Sequence, residues 1–328
     1  MNPTVEKTNF LGYAAITAQN GELEFTLVPD LGSNLISIRH LPTNTPLLHT
    51  PQSMTQYQEN PVLWGTPVLF PPNRLEDGKL RFEGTTYQFD LNEPKLHNHI
   101  HGLVNSKPWR VVLTQVENGV AVVETEIDAR EFPDITRQFP HPFVLRMRVT
   151  LDANSIGLGM SVHNVGQSAF PYGLGYHTTF LFPFRVGGEL GHCRMKLGTK
   201  KRWELNERNL PTGRLLDSAD LASFREGLNL TGKPLDDAFM SDVVDGGTNE
   251  CVLTDVDANL QVVYQADKSF LHWVVYNADS KKGFVCPEPY TWVTNAPNLD
   301  LPATTTGVRV MAPGESEEFW TKIQVSTL

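Results

Sequence analysis

Cysteine is scarce in this chain. Its 328 residues include three cysteines, Cys193, Cys251 and Cys286, and no two of them form a CxxC pair. An odd number of widely spaced cysteines supports neither a disulfide framework nor a cysteine zinc site. We therefore expect a fold that is held together by its hydrophobic core, without cross-links or a structural metal.

Long apolar runs, excess positive charge and phosphate-binding loops are missing as well. No run approaches the roughly 20 apolar residues that span a bilayer, and residues 1–7 lack the pattern of a signal peptide. The net charge of −10 argues against nucleic acid or an anionic membrane as the main partner. GxGxxG and GxxxxGK[ST] do not occur in a suitable context, and GxSxG is absent. These absences predict a cytoplasmic protein that handles a neutral small molecule without a cofactor, and they leave the oligomeric state open.

Alternation of apolar and polar residues dominates what is present. Helical periodicity is confined to residues 216–228, which predict one or two helical turns. The clearest hairpin surrounds Asn118-Gly119, because Asn-Gly favours the turn twist that suits paired strands. Without repeats or linkers, we predict an all-β fold, a large antiparallel β-sandwich that residues 1–328 form as a single domain. The predicted strands are residues 23–28, 35–39, 79–82, 87–91, 110–116, 120–127, 144–151, 156–162, 260–265, 270–276 and 318–325.

Glu288 lies between two prolines, in a segment rich in apolar and aromatic residues. Each proline fixes its own backbone and restricts the preceding residue, so the glutamate is held in a stiff segment. A carboxylate beside apolar surface loses solvation, and its pKa should rise toward neutrality. That property suits a general base, although a surface glutamate in a proline-rich loop would show the same local sequence.

His177 is the one histidine in a stretch of glycines and aromatics, residues 171–183. Glycine permits close approach of the backbone, and aromatic rings pack well on the apolar faces of sugars. A histidine in such a place can act as an acid near neutral pH. A core histidine with one hydrogen bond is the alternative interpretation.

Three further histidines, His97, His99 and His101, alternate along the chain. They would share one side of an extended segment. A metal site would need another carboxylate, which no neighbouring spacing supplies, so we predict no metal here. Instead we expect one or two of them to line a polar groove, and His97 to lie in a surface loop.

Two charged motifs complete the candidates. Arg74 follows Pro71-Pro72-Asn73 and could present its planar guanidinium to hydroxyls or a carboxylate. The adjacent carboxylates Asp236 and Asp237 could hold vicinal hydroxyls or bind a cation. A surface arginine and a solvated turn are the alternatives.

The order of these segments resembles that of the aldose 1-epimerase family, also called galactose mutarotases. The resemblance covers about residues 20–325 and implies a galactose mutarotase-like β-supersandwich with a sugar groove on one sheet. The matching motifs are Asn73-Arg74, His101-Gly102, Trp109, His177, Asp236 with Phe239, Glu288-Pro289 and Asn295.

This resemblance implies that Glu288 is the general base and His177 the general acid. A small-molecule sugar would be the partner, and neither a metal nor a cofactor would take part. The histidine near the ring oxygen would be His101, with His99 as second choice. The full set of implied substrate-binding residues is Asn73, Arg74, His99, His101 and Asp236.

The chain also departs from the family pattern, which indicates a divergent branch. Tyr176 precedes His177 where the family usually has Asn, and the usual glycine-rich stretch after His-Gly is missing. The implied function is interconversion of the α and β anomers of a hexose by acid–base ring opening. Three alternatives remain open: a hexose-6-phosphate 1-epimerase using residues 200–202 for the phosphate, a glycosidase using Glu288 with Asp236, and a non-catalytic carbohydrate-binding protein.

Overall fold

The computed structural model describes residues 2–185, 187–246 and 248–328. The first strands are β1 (Thr4–Phe10), β2 (Tyr13–Gln19), β3 (Leu23–Val28), β4 (Asn34–His40), β5 (Thr45–Pro46), β6 (Val68–Leu69), β7 (Arg74–Glu76), β8 (Lys79–Phe82), β9 (Thr85–Gln88) and β10 (Asn98–Ile100). The next are β11 (Arg110–Glu117), β12 (Val120–Asp128), β13 (Phe143–Asp152), β14 (Ser155–Asn164), β15 (Phe170–Tyr172), β16 (Gly175–Tyr176), β17 (Phe180–Leu181), β18 (Cys193–Leu197), β19 (Thr199–Leu205) and β20 (Pro211–Leu216). The last are β21 (Asp236–Ser241), β22 (Glu250–Asp255), β23 (Leu260–Ala266), β24 (His272–Tyr276), β25 (Phe284–Tyr290), β26 (Arg309–Met311) and β27 (Ser316–Thr327).

The α-helices are few and short among the described residues. They are α1 (Met54–Glu59), α2 (Pro133–Gln138), α3 (Ala219–Glu226) and α4 (Ala303–Thr306). The helical turns predicted within residues 216–228 are therefore confirmed as α3. No helix in the described part of the chain is long and apolar enough to cross a membrane.

Antiparallel sheets dominate the architecture, which confirms the predicted all-β sandwich. One eight-stranded sheet has the order β11-β12-β13-β14-β27-β23-β22-β18. The other has the order β20-β19-β21-β24-β25-β16-β6, with β17 also paired to β25. Strands β1 to β5 form a five-stranded sheet.

The two eight-stranded sheets pack against each other through aromatic side chains. Tyr264 on β23 contacts Trp273 on β24, with ring centroids 5.8 Å apart, and Phe180 on β17 at the same distance. All three rings are buried in one large apolar core. Edge-to-face aromatic contacts of this kind add to the stability that burial provides. This packing gives β25 a rigid support.

One sequence expectation needs refinement at the segments 260–265 and 270–276. Both form strands, but they lie in different sheets, because β23 pairs with β22 and β27 whereas β24 pairs with β21 and β25. Part of this link is fixed inside the protein: Phe270 lies in the core, and Asn249 Nδ2 donates to the carbonyls of Asp267 and Phe270, at 2.8 Å each. The link therefore crosses from one layer of the sandwich to the other.

Strand β25 contains both prolines that flank Glu288, and it is paired incompletely on one side. Pro287 and Pro289 lack an N–H, so only the alternate residues of this strand can donate to β24. On the other side, β17 pairs with residues 284–285 and β16 with Tyr290, leaving residues 286–289 without a strand. Residues 177–179 pass through this gap, so the interruption of the sheet creates room for the candidate site.

Candidate active site

A cleft of about 410 Å³ opens beside the interrupted part of β25. Side chains from several distant segments meet there, and most of them are polar. The described residues that line it are Asn60, Val62, Leu63, Asn73, Arg74, Asn92, Glu93, Ile100, His101, His177, Asp236, Val274, Tyr276 and Glu288. Its size and mixed lining suit a small polar ligand.

Glu288 and His177 form the buried centre of this cleft. The Glu288 Oε1 atom lies 3.3 Å from Nε2 of His177. Their residues are 1% and 4% exposed, so both groups are almost completely removed from water. Glu288 extends from β25. His177 belongs to the segment that fills the gap in the sheet, and its backbone N–H donates to the Pro67 carbonyl. A carboxylate and an imidazole at this separation can exchange a proton.

Burial shifts the pKa values of Glu288 and His177 in opposite directions. Desolvation raises the pKa of the Glu288 carboxyl well above its ordinary value, and the hydrogen bond from Tyr290 opposes this shift only in part. Desolvation lowers the pKa of the His177 imidazole to about 4. The rise at Glu288 has the direction that the sequence predicted. Because the groups are coupled, we treat them as a pair that holds one proton over a wide pH range.

Tyr290, which the sequence analysis did not single out, contacts the second oxygen of Glu288. Its hydroxyl donates to Oε2, and Nδ2 of Asn73 lies 3.4 Å from the tyrosine oxygen. The Asn73 Oδ1 atom accepts from the Arg74 backbone N–H at 2.9 Å. Both polar ends of Asn73 are therefore occupied within the protein. Period two along β25 places residues 288 and 290 on one face, which is the signal that could have revealed the tyrosine.

Gly175 permits this arrangement by leaving space for the Tyr290 ring. A Cβ atom at position 175 would lie 2.3 Å from Cδ1 of that ring and 2.9 Å from Pro72. Any other residue would displace the ring and its hydrogen bond. The close backbone approach that was expected around His177 thus serves to seat a neighbouring aromatic side chain.

Arg74 occupies the opposite side of the cleft and is fixed by a carboxylate. Its Nε lies 3.0 Å from Oε2 of Glu93, and its Nη2 lies 4.0 Å from Oδ2 of Asp236. Asp236 in turn accepts from Nδ2 of Asn209 at 3.0 Å. Burial alone would lower the pKa of Arg74, but Glu93 and Asp236 outweigh it and raise that pKa. Burial also raises the pKa of Asp236, with Arg74 opposing. Neither Glu93 nor Asn209 had a signal in the sequence beyond its own polarity.

The three clustered histidines separate into three environments. His97 is exposed and its Nδ1 lies 2.9 Å from Asp77, as expected for a surface loop. His99 is buried against Phe89, and its Nδ1 lies 2.7 Å from the Asp90 carbonyl. His101 alone of the three lines the cleft, with its ring edge-on to His177 at a centroid distance of 5.2 Å.

The reason for this separation is the backbone. Only residues 98–100 are extended, and both His97 and His101 adopt positive φ angles, of 55° and 66°. Burial, followed by the charges of His177 and Arg74, lowers the pKa of His101 well below its ordinary value. The Nδ1 atoms of His101 and His177 are buried without a hydrogen-bond partner among the described residues. A polar ligand could satisfy such atoms.

Cys286 is another titratable group near the centre. Its Sγ and the ligand atoms of His177 and Glu288 lie within 4.8 Å of one another, and nitrogen, sulfur and oxygen are donors that zinc accepts. However, burial and then the charge of Glu288 raise the pKa of the Cys286 thiol well above its ordinary value. A bound metal ion would lower that pKa again, so the absence of a metal here stays a prediction.

The basic residues considered for a phosphate lie elsewhere. Residues 200–202 belong to β19, where Lys201 Nζ lies 2.6 Å from Asp217 and Arg202 Nε lies 3.1 Å from Asp237. None of the three belongs to the described lining of the cleft, where Arg74 is the one lysine or arginine. Asp237 is thus engaged with Arg202, whereas its neighbour Asp236 faces the cleft.

Comparison with known proteins places this chain in a family. The sequence model of the aldose 1-epimerase family matches residues 14–324. A galactose mutarotase-like protein from Clostridium acetobutylicum has 27% identity and a TM-score of 0.94, with 100% of this chain and 99% of that chain covered. A galactose 1-epimerase from Lactobacillus acidophilus NCFM shares the fold at 16% identity, with a TM-score of 0.76 and coverage of 99% and 98%.

A sequence relative shows a more limited match. The uncharacterised protein YihR of Escherichia coli K12 is 27% identical over 161 residues, which are 48% of this chain and 47% of YihR. The chain thus spans about half the length of this curated relative. The family model, by contrast, extends over nearly all of the chain, in agreement with the resemblance stated above. The chain belongs to the aldose 1-epimerase family.

Proposed function

We propose that this protein is an aldose 1-epimerase that interconverts the α and β anomers of an unphosphorylated aldopyranose. The observation that carries the proposal is the buried pair of Glu288 Oε1 and His177 Nε2, 3.3 Å apart at the centre of a polar cleft. Ring opening needs a base for the proton of the C1 hydroxyl and an acid for the ring oxygen. One carboxylate and one imidazole supply both.

The reaction would proceed from the form of the pair that holds its proton on the imidazole. Glu288 takes the C1 hydroxyl proton while His177 protonates the ring oxygen, and the C1–O5 bond breaks. The aldehyde rotates about C1–C2, and ring closure returns both protons. Because the pKa of Glu288 is raised and that of His177 is lowered to about 4, this form is the less populated one. It nevertheless contains the stronger base and the stronger acid.

The charges of the cleft support an unphosphorylated substrate. Arg74 is the one lysine or arginine in the described lining, and Glu93 already occupies its guanidinium. Glu93 and Asp236 add negative charge, which would repel a phosphate dianion at short range. Sugar hydroxyls, in contrast, can bond to Arg74, to Asp236 and to the unpartnered Nδ1 atoms of His101 and His177. These contacts with the substrate, including one from His101 near the ring oxygen, are part of the proposal.

The test is exchange between the α and β anomers, measured by NMR magnetisation transfer. Glucose, galactose, mannose, xylose and glucose 6-phosphate would each be compared with wild type, Glu288→Gln and His177→Asn. We expect wild type to accelerate exchange of at least one unphosphorylated aldose. Each variant should lose at least about 100-fold of that acceleration, which is the lower range for removal of an acid–base group.

A matched control is Glu317→Gln, which changes another glutamate that a tyrosine hydroxyl contacts, outside the cleft. It should exchange sugar at the wild-type rate. Binding of an aldose without accelerated exchange would indicate a carbohydrate-binding protein and overturn the proposal. Acceleration with glucose 6-phosphate alone, or release of sugar from an aryl glycoside, would overturn it in favour of the other two alternatives.

A further inference from the structure

A chain of hydrogen bonds leads from the Arg74 backbone through Asn73 and Tyr290 to Glu288. Its first donor fixes which group donates at every later step. The backbone N–H of Arg74 can only donate, and it donates to the side chain of Asn73 at 2.9 Å. The atom that accepts must be the amide oxygen, so the amide nitrogen of Asn73 faces Tyr290. This assignment of the amide follows from the hydrogen bonds themselves.

The same reasoning then fixes where the hydroxyl proton of Tyr290 points. An amide nitrogen can only donate, so the tyrosine oxygen accepts from Asn73 and has to direct its single proton toward Glu288 Oε2. Burial, followed by the charge of Glu288, raises the pKa of Tyr290 well above its ordinary value, so that proton stays on the tyrosine. Oε2 of Glu288 therefore always faces a donor.

Resting on the proposed function, we infer that Asn73 and Tyr290 are positioning residues that reserve Oε2 of Glu288, so that Oε1 alone exchanges the proton with the sugar. If Oε2 took the proton, it would become a poorer acceptor for the hydroxyl of Tyr290 and that hydrogen bond would weaken. Oε1 has no such obstacle, because it lies 3.3 Å from Nε2 of His177. The chain of bonds thus selects one of two chemically equal atoms.

Several other groups influence the protonation of Glu288 and have to be held constant in a test. His177 contacts it directly, and Cys286 lies close on the same strand. Arg74 and Asp236 act on it through space from β7 and β21. The further titratable groups nearby are His101, Tyr264 and Tyr276. Substitution at positions 73 and 290 leaves all of these side chains in place.

The first test is Tyr290→Phe, which removes the hydroxyl and keeps the ring against Gly175. Loss of a hydrogen bond to a charged group should lower kcat/KM by about 10- to 100-fold. The alkaline limit of the pH–rate profile should also move to higher pH, because the bond that favours the Glu288 carboxylate is gone. A purely structural role would leave that limit in place. The matched control is Tyr172→Phe, which removes a buried hydroxyl from Glu317 and should alter neither quantity.

The second test is Asn73→Asp, which keeps the size and the acceptor for the Arg74 N–H. A carboxylate there would compete for the Tyr290 proton and turn it away from Glu288. The double variant with Tyr290→Phe measures the effect of the added charge alone, so we expect the two substitutions to be less than additive. Additive effects, or an unchanged pH–rate profile in Tyr290→Phe, would overturn the inference. If wild type accelerates exchange of no aldose, it is the proposed function that fails.

Discussion

Two buried tyrosines in this protein donate to a glutamate, and the two carboxylates have different surroundings. Tyr290 contacts Glu288, whose other oxygen faces an imidazole, and no lysine or arginine forms an ion pair with Glu288 among the described residues. Tyr172 contacts Glu317, which is also paired with Arg309, whose Nε lies 3.0 Å from Oε2. A permanent cation fixes a carboxylate in its charged form, whereas a titratable imidazole lets the proton move. The counter-charge, more than the tyrosine, therefore separates a structural carboxylate from a base.

The difference between the two carboxylates should be greatest in how the stability of the protein depends on pH at Glu288. The pKa of Glu288 in the folded protein is raised above the ordinary 4.5. The contribution of this carboxyl to the free energy of unfolding is therefore fully present below pH 4.5, and it is lost as the pH rises through the folded pKa. The free energy of unfolding of wild type, minus that of Glu288→Gln, should therefore fall by up to about 1.4 kcal/mol per pH unit above pH 4.5. Urea unfolding from pH 4 to pH 9 measures this difference, and parallel curves would contradict it.

A smaller effect is expected from removing Arg309, the cation that is paired with Glu317. Arg309→Met leaves Glu317 without its cation, while the Tyr172 hydroxyl still donates to it, and the change also removes a guanidinium that lies 5.5 Å from the Phe319 ring centroid. Since the pair is about one-third exposed, the loss should be about 1–2 kcal/mol in the free energy of unfolding. Denaturation measures the loss, while anomer exchange should remain at the wild-type rate. A lower rate in a folded variant would mean that the two regions are coupled.

The smallest effect is expected from bringing an arginine closer to Glu288, so that its surroundings become more like those of Glu317 beside Arg309. Glu93→Gln would release Arg74 from its bidentate partner and allow the guanidinium to approach Glu288, to which it is attracted. A nearer cation should lower the pKa of Glu288 and weaken it as a base. We expect exchange to fall by about 3- to 5-fold, which corresponds to about 1 kcal/mol, because Asp236 still attracts the guanidinium from 4.0 Å. A rate equal to wild type would show that Arg74 is fixed by more than Glu93.

The fold could be predicted from the sequence to the extent that its signals are local. The Asn118-Gly119 hairpin follows from residues that touch along the strand or across a turn, and β11 and β12 confirm it. The layer change between β23 and β24 could not be predicted, because it depends on the burial of Phe270 and on Asn249, which lies outside both strands. Alternating patterns identify strands, but they do not say which sheet a strand joins.

The candidate site was predictable in the same uneven way. Glu288 and His177 stood out because prolines, glycines and aromatics surround them in the sequence, and the structure brings these two side chains together. Glu93 and Asn209 lie far along the chain from the side chains that they hold, Arg74 and Asp236, so no spacing connects them. Choosing between His99 and His101 required the positive φ of His101, which ends the extended segment.

The two prolines of β25 have a consequence for how this chain finds its native pairing. If β25 slipped by one residue against β24, prolines would occupy the positions that now donate to β24, and two hydrogen bonds would be lost. The same slip would turn Glu288 to the opposite face of the sheet. Pro287 and Pro289 therefore disfavour any shift of the strand register, and the native register is the one in which the carboxylate faces the cleft.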